Sequence, residues 1–187
     1  MAALRLIVIF GFPLLYVACS RSEITAPSPP PRSSPSITSD EYSVLAALMD
    51  SLLGRTSVDI IVLYDSTDSG VFLGSTDSAL TVTLAYVSQN FPELESETVM
   101  DYKAKNLEHA YIDDPKKVYT SCLRASQTDK VFPSCQVSRV GLAADGEQAL
   151  VYVGMSWAPL AGGGAYYLLS RINGSWIVIR SVGTWIS

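Results

Sequence analysis

Few side chains in this sequence have the type and spacing for chemistry. His109 is the only histidine, so a Ser-His-Asp arrangement or a multi-histidine metal site would have to be built on it. It follows Glu108 at the polar end of a helical segment, where a histidine suits the helix dipole, and it reads as a surface residue. The run Asp65-Ser66-Thr67-Asp68-Ser69-Gly70 has the opening of a calcium loop, but Thr76 stands where the bidentate glutamate is required. A turn capped by its own Asp and Ser side chains is the better account. Gly154-Met155-Ser156-Trp157-Ala158 lacks the second glycine and the following helix of a nucleophile elbow. Gly162-Gly163-Gly164 lacks the Lys-Thr pair of a phosphate cradle and reads as a loop between strands. Carboxylates are plentiful after Pro92 and at Asp113-Asp114, yet acid/base work needs two of them converging in a cleft. The remaining binding candidates are Asp65, Thr67 and an aromatic group of Trp157, Tyr166 and Tyr167. If that group is exposed, it forms a patch for a partner. No pattern asks for a metal or an organic cofactor.

Three cysteines are present. Cys122 and Cys135 form an even pair in a chain expected to fold where disulfides persist. A bridge between them would close a short loop, worth roughly 3 kcal/mol on the loop-entropy model, provided their Cα atoms lie within about 7 Å. Two buried thiols are the alternative. The formal net charge is −5. Mild acidity, with no basic run longer than Lys116-Lys117, argues against nucleic acid.

Arg5 precedes an apolar run from Leu6 to Ala18 that ends in a small residue before Cys19. This is the layout of a secretory signal peptide. The run falls short of the roughly 20 residues a spanning helix needs, and Pro13 interrupts it. Val17-Ala18-Cys19 resembles the lipobox of bacterial lipoproteins, in which the cysteine gains a diacylglycerol thioether and becomes the new N-terminus. Tyr16 stands where that family usually has Leu, so ordinary cleavage nearby stays open as the alternative, leaving a periplasmic or secreted protein. Ser20 after the cysteine resembles the outer-membrane sorting pattern. Stable anchoring takes more than one acyl chain, which a diacyl or triacyl cysteine provides. The segment that follows, RSEITAPSPPPRSSPSITSD, is rich in proline and serine and nearly devoid of apolar residues. Such a composition reads as a disordered tether. The expected division is therefore a signal peptide over 1–18, a tether over 19–38 and one domain over 39–187.

The domain has the usual size for a single core. Ser39-Asp40-Glu41 opens a helix, Gly54 stops it, and Tyr42, Leu45, Leu48, Met49 and Leu52 form its apolar stripe. SVDIIVLYDSTD reads as a buried strand. DSALTVTLAYVSQNF fits helix spacing at Leu80, Leu84, Val87 and Phe91 and strand alternation at Leu80, Val82, Leu84 and Tyr86. The helix is the expectation. A further helix starts at Pro92, with acids before Lys103 and Lys105, and KKVYTSC reads as a strand. From Cys135 onward the pattern is a four-stranded antiparallel meander. Asp145-Gly146 and Asn173-Gly174 mark its hairpin turns. Helices first and hairpins later give an α+β class, with the helices on one face of an antiparallel sheet.

Two stretches, FPELESETVMDYKAKN and SRVGLAADGEQALVYVGMS continued by YYLLSRINGSWIVIRSVGTWIS, resemble a loosely defined group of uncharacterised exported bacterial proteins. Shared features are a strand ending in Asp65-Ser66-Thr67, a helix opening Pro92-x-Leu94-x-x-Glu97-Thr98, and a meander closing on Trp185-Ile186-Ser187. The resemblance implies a common fold and no activity. Many of that group carry a cysteine-bearing loop where this chain has Ser156-Trp157-Ala158-Pro159-Leu160-Ala161-Gly162, so the role of those cysteines is not inherited. The Asn173-Gly174-Ser175-Trp176-Ile177-Val178 ending is also similar to final hairpins of ketosteroid-isomerase-like cones. These readings converge on a lipid-anchored binding or structural module of the cell envelope, its partners the membrane and an envelope protein. The rivals are a small hydrolase using carboxylates or Asp65, and a small-ligand-binding cone.

Overall fold

The computed structural model describes residues 35–54, 61–64, 66–70, 76–125 and 132–187, with the side chains of 122–125 excepted. The expected signal peptide, Cys19, most of the expected tether and Asp65 lie outside the described residues.

Helix α1 (Ser39–Leu53) starts one residue later than a reciprocal cap. Thr38 Oγ1 accepts from Glu41 N at 3.3 Å, and Thr38 N donates to Glu41 Oε2 at 3.0 Å. The capping box closes two otherwise orphaned donors. The described fold extends upstream of this cap, into the stretch expected to be tether. Tyr111 N donates to Pro35 O at 3.1 Å, and Ile37 is buried.

Strand β1 (Ile61–Tyr64) is followed by α2 (Asp77–Asn90) and α3 (Ser96–Lys105). In α2, Leu80, Leu84 and Val87 are buried while Val82 is 72% exposed, so the helix period decides the ambiguous segment. Helix α3 begins beyond the Pro92 turn. Lys103, in its last turn, reaches Asp77 of α2 at 2.8 Å. A 3-10 turn (Pro115–Lys117) precedes β2 (Cys122–Ala125), so only the end of KKVYTSC is strand. The remaining strands are β3 (Ser134–Val137), β4 (Gly141–Leu142), β5 (Gln148–Ala158), β6 (Ala161–Ile172) and β7 (Ser175–Ile186).

They form one mixed sheet in the order β2-β1-β3-β5-β6-β7, with β4 beside β5. The fold class is α+β, and the terminal strands pair antiparallel as a meander. Strand β1, however, pairs in parallel with both β2 and β3. The parallel pairs follow from the long connections between these strands, since only antiparallel neighbours can be joined by a tight turn.

The helices do not share a face. Ala149, Val151 and Val153 of β5 pack in one cluster with Val44, Leu45, Leu48 and Met49 of α1. Leu150 and Tyr152 pack in another with Leu80, Leu84 and Val87 of α2 and Tyr102 of α3. Neighbouring strand residues point to opposite sides, so α1 covers one face of the sheet and α2 and α3 cover the other. This is why β5 is buried without interruption from Gln148 to Gly154.

Strand β7 holds its register through two bulges, at Ile179 and Thr184, each an extra residue against β6. The bulges change which parity faces in. Trp176 and Val178 pack on the α1 side, whereas Val182 joins the α2 and α3 side. Gly162-Gly163-Gly164, expected as a loop, lies within β6. A Cβ on Gly164 would stand 2.2 Å from Tyr152 Oη and 2.3 Å from Trp185 Nε1. The glycine is there for close approach of two aromatic side chains, and a two-residue turn at Pro159-Leu160 makes the reversal instead.

Candidate functional site

The chain leaves the C-terminal end of β1 into Ser66–Gly70, and side chains from α3, β5, β6 and the loop at His109 converge on this short segment. Thr67 is buried: its N–H donates to Ala110 O at 2.9 Å, and its Oγ1 accepts from Ala110 N at 2.9 Å. His109 Nδ1 contacts Thr67 O. Asp68 N donates to Val137 O at 2.8 Å, tying the segment to the end of β3. Asp68 Oδ1 accepts from Gly70 N at 2.9 Å. That is the Asx-type turn expected from sequence in place of a calcium loop. Among the described residues no cluster of acidic, histidine or cysteine side chains could hold a metal ion.

Beneath the turn lies a group of three tyrosines. Tyr102 from α3 and Tyr166 from β6 both donate their hydroxyls to Ser69 O, each at 3.1 Å. Tyr152 from β5 stands under Gly70. A Cβ on that glycine would lie 2.3 Å from Tyr152 Cγ, and its φ of +71° already favours glycine. Trp185 Nε1 donates to Tyr152 Oη at 2.8 Å. Ring centroids are 5.8 Å apart for Tyr102 and Tyr166 and 5.2 Å for Tyr152 and Tyr166, both inclined as aromatic quadrupoles prefer.

Burial pushes all three phenols up from their ordinary value, Tyr102 most strongly. The nearby Asp68 charge adds to the effect on each. They are therefore neutral at any physiological pH, Tyr102 and Tyr166 as donors and Tyr152 as the acceptor of the Trp185 N–H. Two of the three hydroxyls are committed to one carbonyl, which holds the loop. A general base or nucleophile requires the opposite condition, a depressed pKa and a free path to substrate.

A second buried centre was not legible from sequence. Arg139, between β3 and β4, donates through Nε to Glu41 Oε1 at 3.1 Å and through Nη2 to Glu41 Oε2 at 3.0 Å. Val140 N also donates to Glu41 Oε1, at 3.2 Å. Glu41 is fully buried. Burial alone would raise its pKa, but the Arg139 hydrogen bond, the Thr38 N–H and the charges of Arg139 and Lys105 outweigh it. The carboxyl titrates below its usual range. Asn106 completes the clasp by accepting from Arg139 N at 2.9 Å and donating to Arg139 O at 3.1 Å. Glu41 reads in sequence only as a first-turn acid, and nothing about Arg139 marks it as its partner 98 residues away.

The other candidates are dispersed. Tyr166 is buried in the tyrosine group, while Tyr167, on the opposite face, packs against the α1 core. The expected exposed patch is thus reduced to Trp157, 47% exposed, because helices cover both faces of the sheet. Ser156 and its neighbours lie inside β5 with no strand-to-helix turn. Cys122 and Cys135 occupy β2 and β3, with β1 running between them. Two strand spacings, about 10 Å, exceed a disulfide's reach of about 7 Å, so this register does not fit the expected bridge. Cys135 is buried. The carboxylates after Pro92 border an open cleft of about 360 Å³ lined by Glu97, Met100, Asp101, Lys105 and Leu142. Asp101 Oδ2 there accepts from Lys105 Nζ and Leu142 N, both at 2.7 Å, and so fastens β4 to α3.

The space between sheet and α2 and α3, where a cone fold would keep a ligand pocket, is filled by Phe91, Tyr102, Tyr152 and Tyr166. Compared with protein-family models, curated proteins and solved structures, the chain matches none.

Proposed function

We propose that this protein is a lipid-anchored binding or structural module of the cell envelope, held to a membrane through a diacylglycerol thioether on Cys19. The observation that carries the reading is the order of three segments. An apolar leader ends in Val17-Ala18-Cys19, a proline- and serine-rich stretch follows, and Pro35 is already hydrogen-bonded to the domain at Tyr111. A polar spacer between lipid and fold gives a domain room to meet partners above the headgroups, at a reach of about 3 Å per residue. The fold supports a module in a further respect. Its buried polar groups are committed to holding loops and helices, as in the tyrosine group and the Glu41–Arg139 clasp.

Intact mass and detergent phase partitioning test the anchor, using protein from cell membranes beside a Cys19→Ala control. The expected result is a diacylglyceryl mass increment and partition into the detergent phase, both lost in the control. An unmodified mature chain in the aqueous phase would overturn the anchor and leave a soluble periplasmic or secreted domain.

A further inference from the structure

Strand β7 ends the sheet, and among the described residues no strand lies beyond it. Its pairing with β6 determines which backbone groups face outward. The two-residue turn at Asn173 (φ +52°) and Gly174 (φ +79°) makes Ile172 and Ser175 a hydrogen-bonded pair. Consistent with this, Arg171 N points the other way, to Glu147 O at 2.8 Å. Alternation then makes Ser170 and Ile177 the next hydrogen-bonded pair. It turns the N–H and C=O of Trp176 and Val178 toward the open edge.

This edge is unusually apolar. On β7 itself Ile177 is 45% and Ile179 41% exposed, and Ile172 beside them at the end of β6 is 45% exposed. All acidic residues of the chain precede Gln148, and the β6–β7 hairpin carries only Arg171 and Arg180. Native edges usually carry charge or short strands to prevent pairing. Here the blocking feature, the Ile179 bulge, comes only after the segment Ser175–Val178.

We propose that β7 pairs antiparallel with β7 of a second copy, about a two-fold axis through Ile177, to join two sheets into one. This inference is independent of the anchor. In this register Trp176 lies opposite Val178 of the other copy, so the outward N–H and C=O groups of both close a ring of main-chain hydrogen bonds. Ile177 meets its own symmetry mate in a non-hydrogen-bonded pair, the closer type, with Cα atoms about 4.5 Å apart. Arg180 falls opposite Gly174, so no like charges oppose one another. An isologous contact needs only a self-complementary patch. A foreign strand of mixed charge would gain the same hydrogen bonds without the matched isoleucines.

The test is sedimentation velocity on the purified full chain carrying Cys19→Ala, with and without Ile177→Lys, together with oxidative cross-linking of Ile177→Cys and Ser181→Cys. The parent is expected to be a dimer. Ile177→Lys should weaken that dimer by at least about tenfold while its thermal unfolding as a monomer stays normal, because the residue is half exposed. Ile177→Cys should give a reducible covalent dimer, and Ser181→Cys, far from the axis, should not. A parent that is monomeric at its highest soluble concentration would overturn the proposal, as when another segment or a foreign strand covers the edge. So would a dimer indifferent to Ile177→Lys, or equal cross-linking at both positions. None of these outcomes bears on whether Cys19 is lipidated.

Discussion

The two faces of the sheet solve the same problem with different chemistry. On the α1 side a charged pair, Glu41 and Arg139, locks the helix start to the kink between β3 and β4. On the α2 and α3 side neutral hydroxyls of Tyr102 and Tyr166 lock the loop after β1 through Ser69 O. Both are buried and hydrogen-bonded, yet they should respond differently to damage. Removing one member of a buried ion pair leaves a charge without solvent or partner, whereas removing one hydroxyl from a doubly bonded carbonyl leaves a neutral acceptor still satisfied.

The largest effect should come from Glu41→Leu or Arg139→Met, each costing about 3–5 kcal/mol in urea unfolding. The double variant is expected to recover most of that loss, since no charge is stranded. Single losses below about 1 kcal/mol would place the clasp in contact with water. Next comes Gly70→Ala, which collides with the Tyr152 ring and strains a positive φ. It should cost about 2–4 kcal/mol. Smaller again are Tyr102→Phe and Tyr166→Phe, about 0.5–1.5 kcal/mol each. Together they should cost more than their sum, because the two hydroxyls share one acceptor, Ser69 O. Strict additivity in that cycle would mean the hydroxyls act independently.

The gentlest probe is pH. Glu41 is depressed in the fold, so its contribution is present above its ordinary value of 4.5 and is lost as pH falls below that through the folded value. The tyrosines are raised, so theirs is complete below their ordinary value of 10.0 and erodes as pH climbs past it. Urea midpoints followed from pH 3 to 11 should therefore fall at both ends. Glu41→Leu with Arg139→Met should make the acid limb shallower and leave the alkaline limb, and the double phenylalanine variant should do the reverse, Tyr152 and Tyr167 keeping part of the alkaline fall. If either variant flattened the opposite limb, the assignment of the two centres would be wrong.

Legibility followed the range of the interaction. The α1 stripe of Leu45, Leu48 and Met49 and the Asn173-Gly174 hairpin rest on neighbours within a turn or two, and both stand as read. Helix α2 was ambiguous because its residues satisfy two periods at once, and only burial against Leu150 and Tyr152 separates them. Gly162–Gly164 misled for a related reason. Glycines signal flexibility locally, but here they make room for Tyr152 and Trp185 from two other strands. Tyr166 and Tyr167 point to opposite faces, as neighbours on a strand must, so the expected aromatic patch needed one of those faces to be open. The second helical layer buries the face assumed to be open.

By itself, then, the sequence determined the class, most helix starts and stops, and the hairpin turns. All of these depend on composition or on contacts a few residues apart. Tertiary structure alone decided that β1 pairs in parallel, that helices cover both faces, and that Glu41 meets Arg139 and Ser69 meets Tyr102 and Tyr166. Each of these joins groups tens of residues apart, and their free energy comes from excluding water jointly, a property no single segment carries.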